Sequence, residues 1–276
     1  MFNLSFKFLQ RFKSKVFPFY KNNELRFIFK KLNYGFSKNT ITARFVGGCV
    51  RKHLTHETVD DIDIATILTS EEIKQRFQDT DFKIIDTGID HGTITLISKK
   101  LKIELTTLRK DIKTDGRHAE VKYIDDWTID SERRDFTINS IYLSIDGKIF
   151  DPQMGSVDLK NNNVKFIGDP QKRIEEDYLR IIRFLRFTIQ YDSKTDPKTI
   201  EALKLNLDGI KKISKERILS ELLKILDLNN FVNILKQNDL KQIFSLVFPE
   251  LKFLNRMKRL EKIHDQLKIN NRILLA

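Results

Sequence analysis

The stretch FVGGCVRKHLTHETVDDIDIAT, residues 45–66, decides how this chain is read. The apolar run TARFV leads into Gly47-Gly48 and reads as a short strand ending at glycine. CVRKHL then reads as a helix start, whose free N–H groups and dipole favour an anion. Because Gly47 and Gly48 carry no Cβ, the backbone there can approach a phosphate closely, and Arg51 can reach a phosphate oxygen. The stretch ends in DIDIAT, an alternating strand that puts Asp61 and Asp63 on one face and turns Ile62 and Ile64 to the core. Two carboxylates this close repel unless a cation intervenes, and Mg²⁺ takes hard oxygen ligands that it usually shares with substrate phosphates. Either half alone is a plain turn or a plain strand end. Together they describe a triphosphate site.

Outward from that stretch, residues 24–33 read as a helix, and SEEIKQRF as another, with Ser70 as its cap. FKIIDTG, GTITLIS and KIELTTL read as strands. The polar segment KDIKTDGRHAEVKYIDD reads as a mobile loop. RRDFTINSIYLSIDGKIFDP starts helically and passes into a hairpin turning at Asp146-Gly147. From residue 169 the pattern is helical: Asp169 caps, Pro170 takes the first helical position, and Ile174, Tyr178, Ile181, Ile182 and Leu185 form one apolar stripe. ISKERILSELLKILDL is a further helix with Ser214 as its cap. The expected fold is α+β: a head with a small mixed sheet and flanking helices, followed by an all-α remainder.

The chain has 276 residues, enough for one large domain or two to three small ones. Its formal net charge of +12 favours a polyanionic partner. No uninterrupted apolar segment is long enough to span a bilayer, so no membrane role is expected. A single cysteine, Cys49, precludes an intramolecular disulfide and suits a reducing compartment, the cytoplasm. The N-terminal MFNLSFKFLQRFKSKVFPFY is basic and free of acids, which has the outline of a transit peptide; an amphipathic lead-in helix is the preferred reading.

VGGCVR…DIDIAT resembles the head signature of the tRNA nucleotidyltransferase (CCA-adding) and bacterial poly(A) polymerase family, class II. HGTITL…IELTTLR is similar to the family's following strand pair, RRDFTINSIYL to its RRDFTxNA motif, and DPQMGSVDLK to its DPxGGxxD turn. EEDYLRIIRFLRF resembles its EDxxRxxRxxRF helix, and ISKERILSELLKIL its ERIxxE helix. The likeness runs in the family's order from about residue 41 to 227. After the helical lead-in over 1–40, it implies a nucleotidyltransferase head over 41–165, a base-reading neck over 166–230 and a truncated, RNA-binding part of a body over 231–276.

The resemblance implies that Asp61 and Asp63 ligate Mg²⁺, with Glu104, alternating inward on KIELTT, as a third catalytic acid. It implies that Gly47, Gly48 and Arg51 hold phosphate, that Arg134, Asp135 and Asn139 hold ribose and triphosphate, and that Arg183 contacts phosphate. A carboxylate that accepts from a 2′-OH prefers NTPs to dNTPs. Asp177 and Arg180, three apart on a helix, would share one face. There Asp177 can accept from the exocyclic amino group of cytosine or adenine while Arg180 donates to the ring nitrogen. Uracil and guanine carry a carbonyl at that position and would be rejected. Without the motif order this pair is an ordinary salt bridge. Arg173, Arg183 and Arg186 extend a basic helix that can contact triphosphate or RNA, with ordinary solvated arginines as the alternative for Arg173 and Arg186.

The expected activity is template-independent addition of C and A from CTP and ATP to the 3′ end of tRNA, with release of pyrophosphate. Poly(A) polymerase, an A-adding enzyme and a truncated, non-catalytic RNA-binding remnant remain alternatives. TDGRHAE falls where the family carries a flexible loop, whose presence argues against an enzyme that stops after two cytidines. Three departures stand out. Lys52 follows the motif arginine where the family usually has Asp, Gly155-Ser156 replaces the paired glycines, and the chain ends at Ala276 where relatives continue through larger helical domains.

Overall fold

The computed structural model describes residues 19–88, 92–115, 118–228, 230–231 and 236–251. The chain divides into two units: Met1–Lys113 with Ala119–Val157, and Thr114–His118 with Asp158–Ala276.

In the first unit, helix α1 (Asn23–Leu32) buries Leu25, Ile28, Phe29 and Leu32, the i, i+3, i+4, i+7 positions of one face. Strand β1 (Ala43–Val46) is buried on both faces, and its Phe45 ring packs 4.8 Å from that of Phe29. Burying a ring of this kind is worth roughly 1.5–3 kcal/mol, which locks α1 to the sheet. Gly47 follows with φ +72° and opens helix α2 (Gly48–Leu54). Strand β2 (Ile62–Thr66) returns antiparallel to β1, and helix α3 (Ser70–Phe77) follows it. The cap of α3 is Thr69 rather than Ser70: the Thr69 hydroxyl accepts from Glu72 N–H, and the Glu72 carboxylate accepts from Thr69 N–H. That reciprocal pair satisfies two free donors, which a cap one residue later would not.

Strands β3 (Lys83–Gly88), β4 (Thr93–Ile97) and β5 (Lys102–Thr107) are those read from the sequence. The segment expected to be a mobile loop instead supplies β6 (Arg109–Asp115) and β7 (His118–Tyr123), a separate two-stranded sheet. Its polar composition signalled solvent on both faces, a condition a ribbon tolerates as well as a loop does. Helix α4 (Trp127–Glu132) is capped by Asp126, and a 3-10 turn at Thr137–Asn139 is the only helical part of the RRDFTIN segment beyond it. Strands β8 (Tyr142–Leu143) and β9 (Ile149–Phe150) form the expected hairpin, with Gly147 at φ +87° in its turn. The main sheet has seven strands in the order β3-β4-β5-β2-β1-β8-β9, with β2 and β5 parallel. Helix α5 (Gly155–Lys160) follows the hairpin.

The second unit is helical: α6 (Pro170–Glu176), α7 (Leu179–Tyr191), α8 (Pro197–Leu205), α9 (Lys215–Leu226) and α10 (Asn238–Val247). Asp169 caps α6 by accepting from Lys172 N–H, with Pro170 at the first position, as expected. The stripe read as one helix is two. Asp177 is extended at φ −155°, ψ 105°, and its carboxylate accepts from Leu179 N–H at 3.1 Å to open α7. Ile174, Ile181, Ile182 and Leu185 stay buried on both sides of the break, so the periodicity gives no sign of it. Ser214 stands at the cap of α9, but its hydroxyl accepts no cap hydrogen bond. No helix among the described residues is long and apolar enough to cross a membrane.

Candidate active site

The main sheet carries Asp63 and Glu104 on the face away from Phe45. Phe45 pairs with Ile64 in the core, so alternation turns Asp63 to the other face. In the parallel β2–β5 pair Asp63 stands directly opposite Glu104. Ile103 and Leu105 are the inward residues of β5, and Glu104 lies beside Asp63 rather than inward, because successive side chains of a strand point to opposite faces. Asp61 is exposed and precedes β2, so the strand itself does not hold it. A Cβ built on Gly47 would lie 3.6 Å from the Asp63 carboxylate, which makes the glycine turn and the acid neighbours.

Burial raises the Asp63 carboxyl to about 6, and the charges of Glu104 and Asp61 push the same way against Arg134 and Arg51. Negative charge is therefore held at Asp63 at a cost, the condition under which a bound cation is favoured. Among the described residues no group of three or more His, Cys, Asp or Glu side chains is placed to hold a metal ion unaided. The acid pair fits a hard divalent ion that takes further oxygens from a phosphate substrate. Glu104 is engaged by Lys102 at 3.1 Å, and Lys102 is raised by that contact.

Arg51 is buried on α2 and donates to the Asn139 side-chain oxygen, while Asn139 Nδ2 donates to Asp135 at 2.9 Å. The structure thus joins Arg51, Asn139 and Asp135 in one network. Arg134 is tied to a different partner: it pairs with Asp130 at 2.9 Å and donates to the Tyr142 hydroxyl at 3.1 Å. Asp130, fully buried, was not singled out from the sequence, although it stands three and four residues before Arg133 and Arg134 on a helical segment. Burial opposes its charge, but Arg134 and Arg133 hold its carboxyl well below the usual carboxylate range. Cys49 is buried, and burial pushes its thiol up to about 12, an unreactive state.

In the helical unit, the break at Asp177 removes the shared helix face expected for Asp177 and Arg180. Asp177 pairs with Arg217 of α9 at 2.7 Å. Arg180, in the first turn of α7, meets Glu176 at 2.5 Å and the Arg173 carbonyl at 2.6 Å. Arg173 and Arg186 are not solvated: their side chains are 12% exposed each and pair with Glu176 and Glu221 at 2.7 Å. Arg183 stands 3.7 Å from Glu221 and against the Phe187 ring. Glu176, Arg217 and Glu221 carry these contacts, and only the motif strings EEDYLR and ERILSE hinted at them.

Residues 43–165 match the family described as Poly A polymerase head domain, and residues 194–254 match Probable RNA and SrmB- binding site of polymerase A. The chain is 44% identical over 205 residues to CCA tRNA nucleotidyltransferase 1, mitochondrial, of Danio rerio. The chain belongs to the tRNA nucleotidyltransferase and poly(A) polymerase family. The Danio rerio match covers 73% of this chain and 48% of the relative. The CCA-adding enzyme of Lactobacillus helveticus is 42% identical over 66% of this chain and 45% of its own. The chain thus spans about half the length of the curated relatives it matches. In three dimensions it is similar to the Bacillus stearothermophilus CCA-adding enzyme solved in complex with CTP, with a TM-score of 0.65 and 28% identity over 82% of this chain and 57% of that one. The expected mixed sheet with flanking helices is the fold these family members share.

Proposed function

We propose that the chain transfers CMP and AMP to the 3′ end of tRNA without a template. The observation that carries this reading is the Asp63–Glu104 pairing across β2–β5 with the Gly47 turn against Asp63. Asp61 and Asp63 would hold Mg²⁺, which when bound stabilises developing charge on the phosphate oxygens. The RNA 3′-hydroxyl attacks the α-phosphorus and gives up its proton to solvent, a new P–O bond forms, the bond from the α-phosphorus to the oxygen bridging it to the β-phosphate breaks, and pyrophosphate leaves. The Gly47-Gly48 backbone and Arg51 would neutralise and orient phosphate. Asn139 and Asp135, joined to Arg51, would receive the ribose hydroxyls. Arg134 would act through its electrostatic hold on Asp63 and the fixed backbone of this segment. Asp177 and Arg180 would read cytosine or adenine, with Arg217 and Glu176 orienting them, and Arg183 would contact phosphate. In this reading 1–40 serves as a helical lead-in, 41–165 as head, 166–230 as neck and 231–276 as part of a body; residues 1–18, 232–235 and 252–276 of the first and last of these lie outside the described residues.

The test incubates purified protein with Mg²⁺, each NTP separately, and tRNAs lacking CCA, CA or A. Incorporation of C and then A in fixed number is expected. A long A tail would instead assign poly(A) polymerase activity, and RNA binding without incorporation would assign a remnant. We place the activity in the cytoplasm. A fluorescent fusion carrying the full chain checks this against the mitochondrion named for the Danio rerio relative.

A further inference from the structure

Helix α2 sends two consecutive side chains to different partners. Arg51 reaches Asn139, as described above. Lys52 forms an ion pair with Asp60, and the same Asp60 oxygen, Oδ1, accepts from the backbone N–H of Asp61 at 3.0 Å. The Lys52 carbonyl accepts from Glu57 N–H at 2.8 Å, and the Thr55 hydroxyl donates to the Glu57 carboxylate at 2.6 Å. Lys52 therefore holds the connection between α2 and β2 near both of its ends. The Lys52 side chain is 24% exposed while that of Asp60 is 66% exposed, so the lysine is the anchored member of the pair. This hold matters because Asp61 precedes β2 and is not held by the sheet ladder.

We propose that Lys52 is a positioning residue for the acid pair: through Asp60 it fixes the backbone from which Asp61 projects beside Asp63. The inference rests on the reading that this pair takes a divalent ion. It also accounts for a lysine so near an expected cation site, since the ammonium is spent on Asp60.

The experiment titrates the full chain with Mn²⁺ alone and follows free Mn²⁺ by electron paramagnetic resonance, without nucleotide or RNA. Lys52→Met should raise the Mn²⁺ dissociation constant about two- to five-fold, the scale of an exposed ion pair. Lys52→Arg should restore it, and the melting temperature should fall by no more than about 4 °C. Charge alone predicts the opposite sign, because deleting a cation near a cation site favours Mn²⁺. Unchanged or tighter binding in Lys52→Met, with binding lost in Asp61→Ala, overturns the positioning role and leaves the metal reading standing. No Mn²⁺ binding by the wild-type chain overturns the metal reading, and the positioning role with it.

Discussion

Asp130→Asn tests the buried hub beneath the acid face. One carboxylate oxygen of Asp130 accepts from the Arg109 backbone N–H at 3.2 Å and from Arg133 at 2.7 and 3.0 Å. The other accepts from Arg134 at 2.9 and 3.2 Å and from the Tyr142 hydroxyl at 2.7 Å. Asparagine keeps the shape but supplies one acceptor oxygen and turns an NH₂ toward groups that each donate to Asp130. Removing one partner of a buried ion pair costs about 3–5 kcal/mol. At about 2–4 °C per kcal/mol for a unit of this size, the melting temperature should fall by about 6–20 °C. Tyr142→Phe removes one donor and no charge, so it should cost only about 1 kcal/mol.

The acid dependence gives a second readout. A carboxyl held below its unfolded value of 3.8 contributes stability that is present above pH 3.8 and lost as the pH falls toward its folded value. Urea unfolding of wild type and Asp130→Asn from pH 7 down to pH 3 should therefore show the two curves converging at the acid end. A cost below 1 kcal/mol at pH 7, or a Tyr142→Phe cost equal to that of Asp130→Asn, would refute charge as the reason the hub holds.

Asp63 has the opposite sign. Its carboxyl is raised from 3.8 to about 6, so its contribution is present below pH 3.8 and lost as the pH rises through about 6. At about 1.4 kcal/mol per pH unit, metal-free Asp63→Asn should be more stable than wild type at pH 7 by up to about 3 kcal/mol, and added Mg²⁺ should stabilise only wild type; thermal melts at pH 5 and 7 check both. Gly155→Ala should be poorly tolerated, because its Cβ would meet the Thr137 carbonyl oxygen at 2.0 Å, and a loss of about 1–3 kcal/mol or more in urea is expected. Arg217→Ala unties Asp177 at a stability cost of about 1 kcal/mol or less but should lower the kcat/KM preference for CTP and ATP over UTP and GTP; an unchanged preference would remove Arg217 from base reading.

What could be read from the sequence was what lies close along the chain. Gly47, Asp61 and Asp63 sit within one strand–helix–strand passage, where a period of two and a glycine turn dictate which side chains share a face. Asp130 was within reach, three and four residues from its arginines, but the same spacing marks countless solvated pairs. The partnership of Lys52 with Asp60 depends on how the connection folds back, which no periodicity encodes. The break at Asp177 was hidden because a single extended residue leaves the apolar stripe aligned on both sides. The side chain that makes the break, capping Leu179 N–H, is the one the motif offers as a base reader. One carboxylate oxygen ends a helix junction there while the other meets Arg217, so the local propensity of Asp for caps and its proposed reading role draw on the same geometry.

The register of β2 against β5 links folding to the acid site most tightly. Glu104 lies 41 positions beyond Asp63, and only the parallel pairing brings the two together. Slipping β5 by one residue would turn Glu104 into the core and expose Ile103 and Leu105, both fully buried. Losing those two buried side chains costs about 1.5–3 kcal/mol each, before the penalty for an uncompensated buried carboxylate. The hydrophobic alternation that pays for the sheet is therefore what keeps the acids aligned. Two like charges opposite each other destabilise the strand pair slightly, and Ile62–Ile103 and Ile64–Leu105 on the other face hold the register against them.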